Sequence, residues 1–512
     1  MKRSIVAFVV VLAVAGSVFA AGSKDGSSPA ASAKDGNTEK PFAFTGFSPF
    51  YLQQPPKMEN NSVIKKIEEY TNTKMRIDYV PYANYRDKLN VVIASAQLPM
   101  VTVVDGSILK TGNIVNAARS GMFWDVGAVL KNYPGIDGFY NNGILLANCS
   151  IDGKLYGLPR PRPVGRVGLV YRADWLKALN LKVPTTMQEF YETAKAFALN
   201  DPDKNGKNDT VGYQFADTDS ASPSWNGIAT LICSLGGINY WGIKDGKAVP
   251  DFMTAEYLDV LSLFRKMYQE KLLNMDFGLA LGNKRYEMFN KGLAGMYFGT
   301  LSDVPNQHGD LYKVVPTAEL AIAPAFTGPK GQRTNAANPG HNGMLMFSKT
   351  AVKTEADFKK IMDFYNKIVD PEMQKLMTYG IEGTHFAVEN GKPKLINAKL
   401  LQDETADFSN ILMLRPAVVE TVADSPIKKA MNAAFRDNEK YIVPNIADAL
   451  LSPTAAERGG EIDKIIVDAR VKFIMGELDE AGFKKAVAEW VTRGGDKIMA
   501  EYTEQNQKYG VK

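Results

Sequence analysis

The sequence predicts an α/β protein, and three observations carry that prediction. Short segments with apolar residues at every second position alternate with longer segments in which they recur at helical spacing. The composition, 45% hydrophobic and 23% charged over 512 residues, is that of a globular chain with room for two to four domains of about 150 residues. After the leader, no stretch reaches the 18 or so uninterrupted apolar residues that a membrane-spanning helix needs.

Taken in order, the elements begin with a leader. Lys2 and Arg3, an apolar run from Ile5 to Ala15 and then Val18-Phe19-Ala20 form a secretory signal over residues 1–20, cut after Ala20. No cysteine stands at the cut, so the expectation is an exported, unlipidated chain. Residues 21–40 are small and polar without periodicity, a flexible tether, and the folded body starts near Pro41. Met75, Ile77 and Tyr79 share one face of a strand, and Leu89, Val92, Ile93 and Ala96 line a helix over residues 85–97 that Pro99 stops. The run Val101–Val104 reads as a buried strand ending at Asp105-Gly106, and a polar residue just past such an end is where open α/β sheets hold ligands. Thr186 and Glu189 form a capping box ahead of a helix lined by Phe190, Ala194 and Phe197. Two further helical stripes are Leu258, Leu261, Phe264, Tyr268 and Leu272, and Phe358, Ile361, Met362, Tyr365 and Ile368. Strands are expected over residues 211–215, 293–298 and 343–347, and no repeat of 20 to 50 residues is present.

Several chemistries lack their residues. The net charge is +4, and Lys2 and Arg3 of the leader supply two of those charges, so nothing points to nucleic acid. Cys149 and Cys233 make no disulfide framework and are expected as buried free thiols. There is no GxxxxGK[ST], no HExxH and no GxSxG, and the three histidines, His308, His341 and His385, are far apart. A pair of glycosidase carboxylates needs no local motif, so a secreted glycan-cleaving enzyme stays open as an alternative.

One segment carries specific chemistry. Asp201, Asp203, Asn205 and Asp209 place side-chain oxygens at loop positions 1, 3, 5 and 9, Lys207 offers its carbonyl at position 7, and Gly206 makes the turn. That is the pattern of an EF-hand calcium loop, and it predicts a structural calcium ion. The loop departs from the pattern at position 12, where Gly212 replaces the bidentate glutamate.

The stretches Asp152-Gly-Lys-Leu-Tyr-Gly-Leu-Pro159, Leu169-Val-Tyr-Arg-Ala-Asp-Trp-Leu176, Val183-Pro-Thr-Thr-Met-Gln-Glu-Phe190 and Phe289-Asn-Lys-Gly-Leu-Ala-Gly-Met-Tyr297 resemble extracellular solute-binding proteins of ABC importers. The likeness is to the large carbohydrate-type branch that includes alginate-oligosaccharide binders, and it extends over residues 41–512. The alginate binders also carry a calcium loop, with a carboxylate at the tenth position, where this chain has Thr210. The resemblance implies a two-lobe periplasmic binding-protein fold with a hinge and a ligand cleft between the lobes. One lobe would comprise residues 41–155 with about 305–375, and the other about 160–300 with 380–512. It also implies a monomeric, non-enzymatic receptor in the periplasm or secreted, which hands an oligosaccharide to a membrane permease served by a separate ATPase. A receptor of the same fold for a peptide or other non-sugar solute is the second reading.

A sugar cleft needs aromatic platforms beside polar side chains. The candidates in irregular segments are Phe50, Tyr51, Trp225, Tyr240 and Trp241, together with Asp105 and Tyr297, whereas Trp124, Trp175 and Trp490 sit in helix-like context. Arg160 and Arg162 follow the expected lobe crossing, and guanidinium forks there suit an acidic ligand such as a uronic-acid oligosaccharide. His341 and His385, each in a turn, complete the set.

Overall fold

Two sheets, each with its own apolar core, organise the chain. The computed structural model describes residues 40–51, 54–140, 143–215, 226–279, 286–414 and 426–510. The expected signal peptide, nearly all of the expected tether, and Trp225 lie outside the described residues. The strands are β1 (Phe42–Phe50), β2 (Thr73–Pro81), β3 (Val101–Val104), β4 (Gly157–Pro161), β5 (Val167–Arg172), β6 (Val211–Tyr213), β7 (Trp241–Lys244) and β8 (Lys247–Pro250). They continue with β9 (Ala294–Thr300), β10 (Leu320–Ile322), β11 (Phe326–Thr327), β12 (Arg333–Ala336), β13 (His341–Phe347), β14 (Phe386–Glu389), β15 (Lys392–Leu395) and β16 (Ile442–Val443).

The first sheet has the order β2-β1-β3-β13-β4, with β1 parallel to β2 and β3, and β13 antiparallel to β3 and β4. Its central strand β3 is buried at all four positions, and edge strand β2 alternates buried and exposed residues, as a one-sided strand must. The second sheet has the order β10-β5-β9-β6. Phe358, Ile361, Met362, Tyr365 and Ile368 on the helix Glu355–Ile368 pack into the first core, and Phe190, Ala194 and Phe197 into the second.

The predicted helix starts are realised with local adjustments. Thr186 caps the helix Met187–Leu199 by accepting from the amide of Glu189 at 3.2 Å, but the Glu189 carboxylate reaches back to the amide and hydroxyl of Thr185, both at 2.8 Å, one residue further than a standard box. The helix predicted through Leu272 runs over Ala255–Gln269, because Lys271 takes a left-handed φ of 57°. Its buried stripe is therefore Tyr257, Val260, Leu261, Phe264 and Met267, and Leu272 packs from the loop beyond. Cys149 and Cys233 are free and buried in different clusters.

The segments that join the two sheets run side by side. The Arg162 amide donates to the Gly340 carbonyl at 2.7 Å, Asn338 to Val164 at 2.8 Å and Ala337 to Val443 at 3.0 Å. Asn239 ties two of these segments together by donating to the carbonyls of Ala337 (3.0 Å) and Val443 (2.8 Å). Two cores bridged by a few paired extended segments are the construction of a hinge, since little apolar contact has to break when the cores rotate.

Candidate ligand-binding site

Five of the predicted residues come together at one edge of the first sheet. β1, β2, β3 and β4 all end there and β13 starts there, so Tyr51, Asp105, Arg160, Arg162 and His341 converge although up to 290 residues separate them. Phe50, half-buried, ends β1 at the same edge. The site thus occupies the carboxyl ends of the parallel strands, where an α/β sheet leaves its loops and unpaired polar groups.

Asp105 is the centre of this group. Its carboxylate accepts from the Tyr51 hydroxyl at 3.2 Å and from the Ser107 amide at 3.0 Å, and lies 3.9 Å from Arg160 Nη1. Arg160 is 0% exposed. It donates to the Asn342 carbonyl at 2.6 Å and to Asn410 Oδ1, and Asn410 in turn donates to Asp407 at 3.0 Å. Asp407 also accepts from the Tyr51 amide at 3.2 Å. Burial and the Asp105 charge raise the Tyr51 hydroxyl well above its ordinary value, so it is a neutral donor at any physiological pH. Arg160 is therefore a buried strut that aims Asp105 and Tyr51. It is not a solvated surface arginine.

Arg162 has a different environment. It is half-buried, donates to the neighbouring Pro161 carbonyl at 2.9 Å, and among the described residues has no carboxylate within ion-pair distance. Burial, helped by the like charges of Arg160 and Arg166, pulls its guanidinium down to about 9. Arg166 donates to Asn338 Oδ1 at 2.6 Å on the adjoining connecting segment. His341 is held to about 3 by burial and by the charges of Lys110, Arg166 and Arg160, so its imidazole stays neutral, and its Nδ1 accepts from the Gly343 amide at 2.9 Å. Of these cations Arg160 faces Asp105, Lys110 lies near Asp448 and Asp152, and Arg162 has no carboxylate within ion-pair distance among the described residues.

Gly343 makes the close packing possible. Its φ is 86°, and a Cβ there would lie 1.8 Å from the Val104 carbonyl oxygen and 2.7 Å from the Asp105 backbone, so only glycine lets β13 pass the turn that presents Asp105.

The remaining candidates take other places. Tyr297 is fully buried on β9, its hydroxyl 2.6 Å from His308 Nε2 and its ring against Tyr286 and Phe289; it is a packing residue. His385 is equally buried, with Nδ1 accepting from the Ile381 amide at 3.0 Å and Nε2 3.3 Å from Glu404, which caps the helix Ser62–Thr71. Trp241 opens a hairpin and leans on Tyr502 and Trp490, with ring centroids 4.8 and 6.2 Å away. Tyr240, at a left-handed φ of 56°, packs near Cys233 and Ala336. Periodicity and turn propensity do not reveal such tertiary partners. Sequence reasoning missed Asp407 and Asn410, which come from a distant segment, and Tyr82, which follows Pro81 at the end of β2.

The predicted metal loop closes on itself. The Asn205 amide donates to Asp201 (3.0 Å) and Asp203 (3.3 Å), its Nδ2 donates to Asp203 (2.8 Å) and Asp209 (3.2 Å), and the Gly206 amide donates to Asp201 at 3.0 Å. The Lys207 amide donates to Asn205 Oδ1 at 2.7 Å. Burial, with the neighbouring Asp201 and Asp209, raises the Asp203 carboxyl above its ordinary value. The loop's own amides take up these oxygens, and among the described residues no group of three or more His, Cys, Asp or Glu side chains is placed to hold a metal ion. The odd residue at position 12 has a steric cause: a Cβ on Gly212 would fall 1.9 Å from the Ala194 carbonyl oxygen, so β6 lies too close to the helix Met187–Leu199 for any side chain there.

Two cores, a paired hinge and a polar site at strand ends define a two-lobe ligand receptor. Residues 59–375 match the bacterial extracellular solute-binding protein family, and the chain belongs to that family, whose members are binding proteins. It is 37% identical over 506 residues, 98% of each chain, to the polygalacturonan/rhamnogalacturonan-binding protein YtcQ of Bacillus subtilis (strain 168). A solved structure described as an HMO binding ABC-transporter associated solute binding protein from Bifidobacterium longum infantis ATCC 15697 shares the fold at TM-score 0.72 and 16% identity, over 93% of this chain and 100% of that one. An EF-hand mutant of the Streptococcus pneumoniae ABC-transporter substrate-binding protein FusA, in complex with fructo-nystose, aligns at TM-score 0.61 and 16% identity over 91% and 99% of the chains.

Proposed function

We propose that this chain is the substrate-binding receptor of an ABC importer and that it captures a carboxylate-bearing oligosaccharide at the edge of the first sheet. The observation that carries this reading is Arg162, which follows the residue paired with His341 at the strand ends and is half-buried without a carboxylate partner among the described residues. A half-buried guanidinium in that state gains from a ligand carboxylate, which supplies charge and paired acceptors together. The 37% identity to a polygalacturonan/rhamnogalacturonan-binding relative supports the same ligand class.

In this reading the two cores are the lobes, and ligand binding rotates them about the paired connecting segments. The cores support lobes of about 41–161 with about 341–413, and about 167–336 with about 426–510. These limits move β10 to the second lobe and Phe408–Met413 to the first, relative to the division expected from sequence. A calcium ion held by Asp201, Asp203, Asn205, the Lys207 carbonyl and Asp209 stiffens the loop that leads into β6 and takes no part in ligand contact. The receptor works as an exported monomer, freed by cleavage after Ala20, and delivers its cargo to a permease driven by a separate ATPase.

Calorimetric titration with galacturonate oligomers and with neutral galactose and glucose oligomers tests the reading. Saturable binding of the acidic set without product release is the expected result. Equal or tighter binding of neutral oligomers would remove the role given to the cations, and binding to none of them would remove the sugar.

A further inference from the structure

The parallel register of β1 and β2 pairs Phe50 with Pro81, and so sets the next residues of each strand, Tyr51 and Tyr82, next to one another. Their rings stack, with centroids 4.6 Å apart and planes 30° apart, yet each residue stays 44% exposed. Other tyrosine rings on these elements do not: Tyr85, one turn further along the helix Tyr82–Ala94, is 1% exposed and donates to the carbonyls of Phe47 and Val103. Tyr82 continues the apolar stripe of Tyr85, Leu89 and Ile93 past the end of the core and over the edge of the sheet. Tyr51 is fixed at both ends, its hydroxyl on Asp105 and its amide on Asp407, while the Tyr82 hydroxyl has no hydrogen-bond partner among the described residues.

We infer that Tyr51 and Tyr82 form a ledge on which one pyranose ring of the ligand lies, and that Tyr82 is a binding residue of the site. The inference rests on the reading that the ligand is an oligosaccharide. The electron-rich face of a tyrosine attracts the weakly positive C–H groups of a sugar ring, and a flat ring covers such a face without needing any particular hydroxyl pattern. The stack with Tyr51 backs the Tyr82 ring and limits its rotamers before ligand arrives, so little ordering cost falls on binding. The division of labour is then specific: the ledge reads the shape of a ring, and Arg162 across Asp105 reads its carboxylate.

The test compares wild type with Tyr82→Ala, Tyr82→Leu, Tyr82→Phe and Tyr82→Trp by calorimetric titration against one acidic and one neutral galactose-type oligomer, with a thermal melt of each variant. Tyr82→Ala and Tyr82→Leu should bind any oligomer that the wild type binds about tenfold more weakly, and by the same factor whether or not that oligomer is acidic. Tyr82→Phe and Tyr82→Trp should stay within about threefold of wild type. Leucine keeps the apolar volume of the stripe, so a Tyr82→Leu protein that melts like wild type and binds weakly isolates the aromatic face. Tyr82→Leu binding as tightly as wild type, or Tyr82→Phe binding as weakly as Tyr82→Ala, overturns the ledge while leaving the receptor reading in place. A wild-type protein that binds no oligomer removes both.

Discussion

Replacing Gly343 by alanine tests whether the site depends on one close backbone approach. Two costs add at this position. A left-handed φ of 86° costs an L-residue about 1–2 kcal/mol. The new methyl must also clear a carbonyl oxygen at 1.8 Å and the Asp105 backbone at 2.7 Å, and those neighbours are main chain that cannot turn aside as a side chain would. Core overpacking of this kind costs about 1–3 kcal/mol. The sum, about 2–5 kcal/mol, falls on the turn that carries Asp105 and on the strand that begins with His341. Gly343→Ala should therefore lower the melting temperature by several degrees and weaken ligand binding beyond what lost stability explains, because Asp105 and Arg160 lose their alignment. Differential scanning calorimetry and ligand titration on the same sample separate the two effects. A variant that melts within a degree of wild type and binds ligand with unchanged affinity would refute the argument, since the backbone would then have room for a Cβ.

Other perturbations act on single parts of the molecule. Arg162→Gln should weaken acidic oligomers by roughly 10- to 100-fold, the range of a hydrogen-bonded charge, and leave neutral ones unchanged; an equal loss for both would make Arg162 structural. Chelation with EDTA should lower the melting temperature by a few degrees and added calcium restore it, with Asp203→Ala abolishing the response; a melt indifferent to both rules out the calcium loop. Burial raises Asp448 to about 7 and Asp463, which accepts from Trp490 Nε1 at 2.8 Å, to about 6. A carboxyl raised in the folded state binds its proton more tightly there than in the unfolded chain, so stability falls as pH rises from about 4 through 7. Lys110, lowered to about 8 by burial, costs stability while it is charged, and that cost is relieved as pH rises from about 8 toward 10.5. Asp448→Asn keeps an acceptor for Asn445 and should flatten the fall in melting temperature between pH 5 and 8; an unaltered pH profile would show that Asp448 is not the titrating group.

Much of the site was legible because its residues sit at strand ends, and strand ends are local features. Asp105-Gly106 after Val101–Val104 was readable as a break in a buried run, and Tyr51 and Arg160 fell at boundaries that turn residues and prolines mark. Tyr82 could have been found the same way, as the residue after Pro81, but strand pairing was needed to set it against Tyr51. Tyr297 and His385 were candidates beside the residues that converge at the strand ends, and only their partners, His308 and Glu404, place them in the interior.

By itself the sequence determined the alternation of strands and helices, the calcium-type spacing from Asp201 to Asp209, and the absence of nucleotide, protease and esterase motifs, because each depends on residues a few positions apart. Tertiary structure alone decided that Arg160 is a buried strut while Arg162, two residues on, has no carboxylate partner among the described residues. It also decided that Gly212 leaves no room for a twelfth ligand and that Gly343 lets two strands meet. The physical reason is the same in each case. Desolvation, charge pairing and close contact depend on which distant segments the fold brings within a few ångströms, and local pattern does not encode that distance.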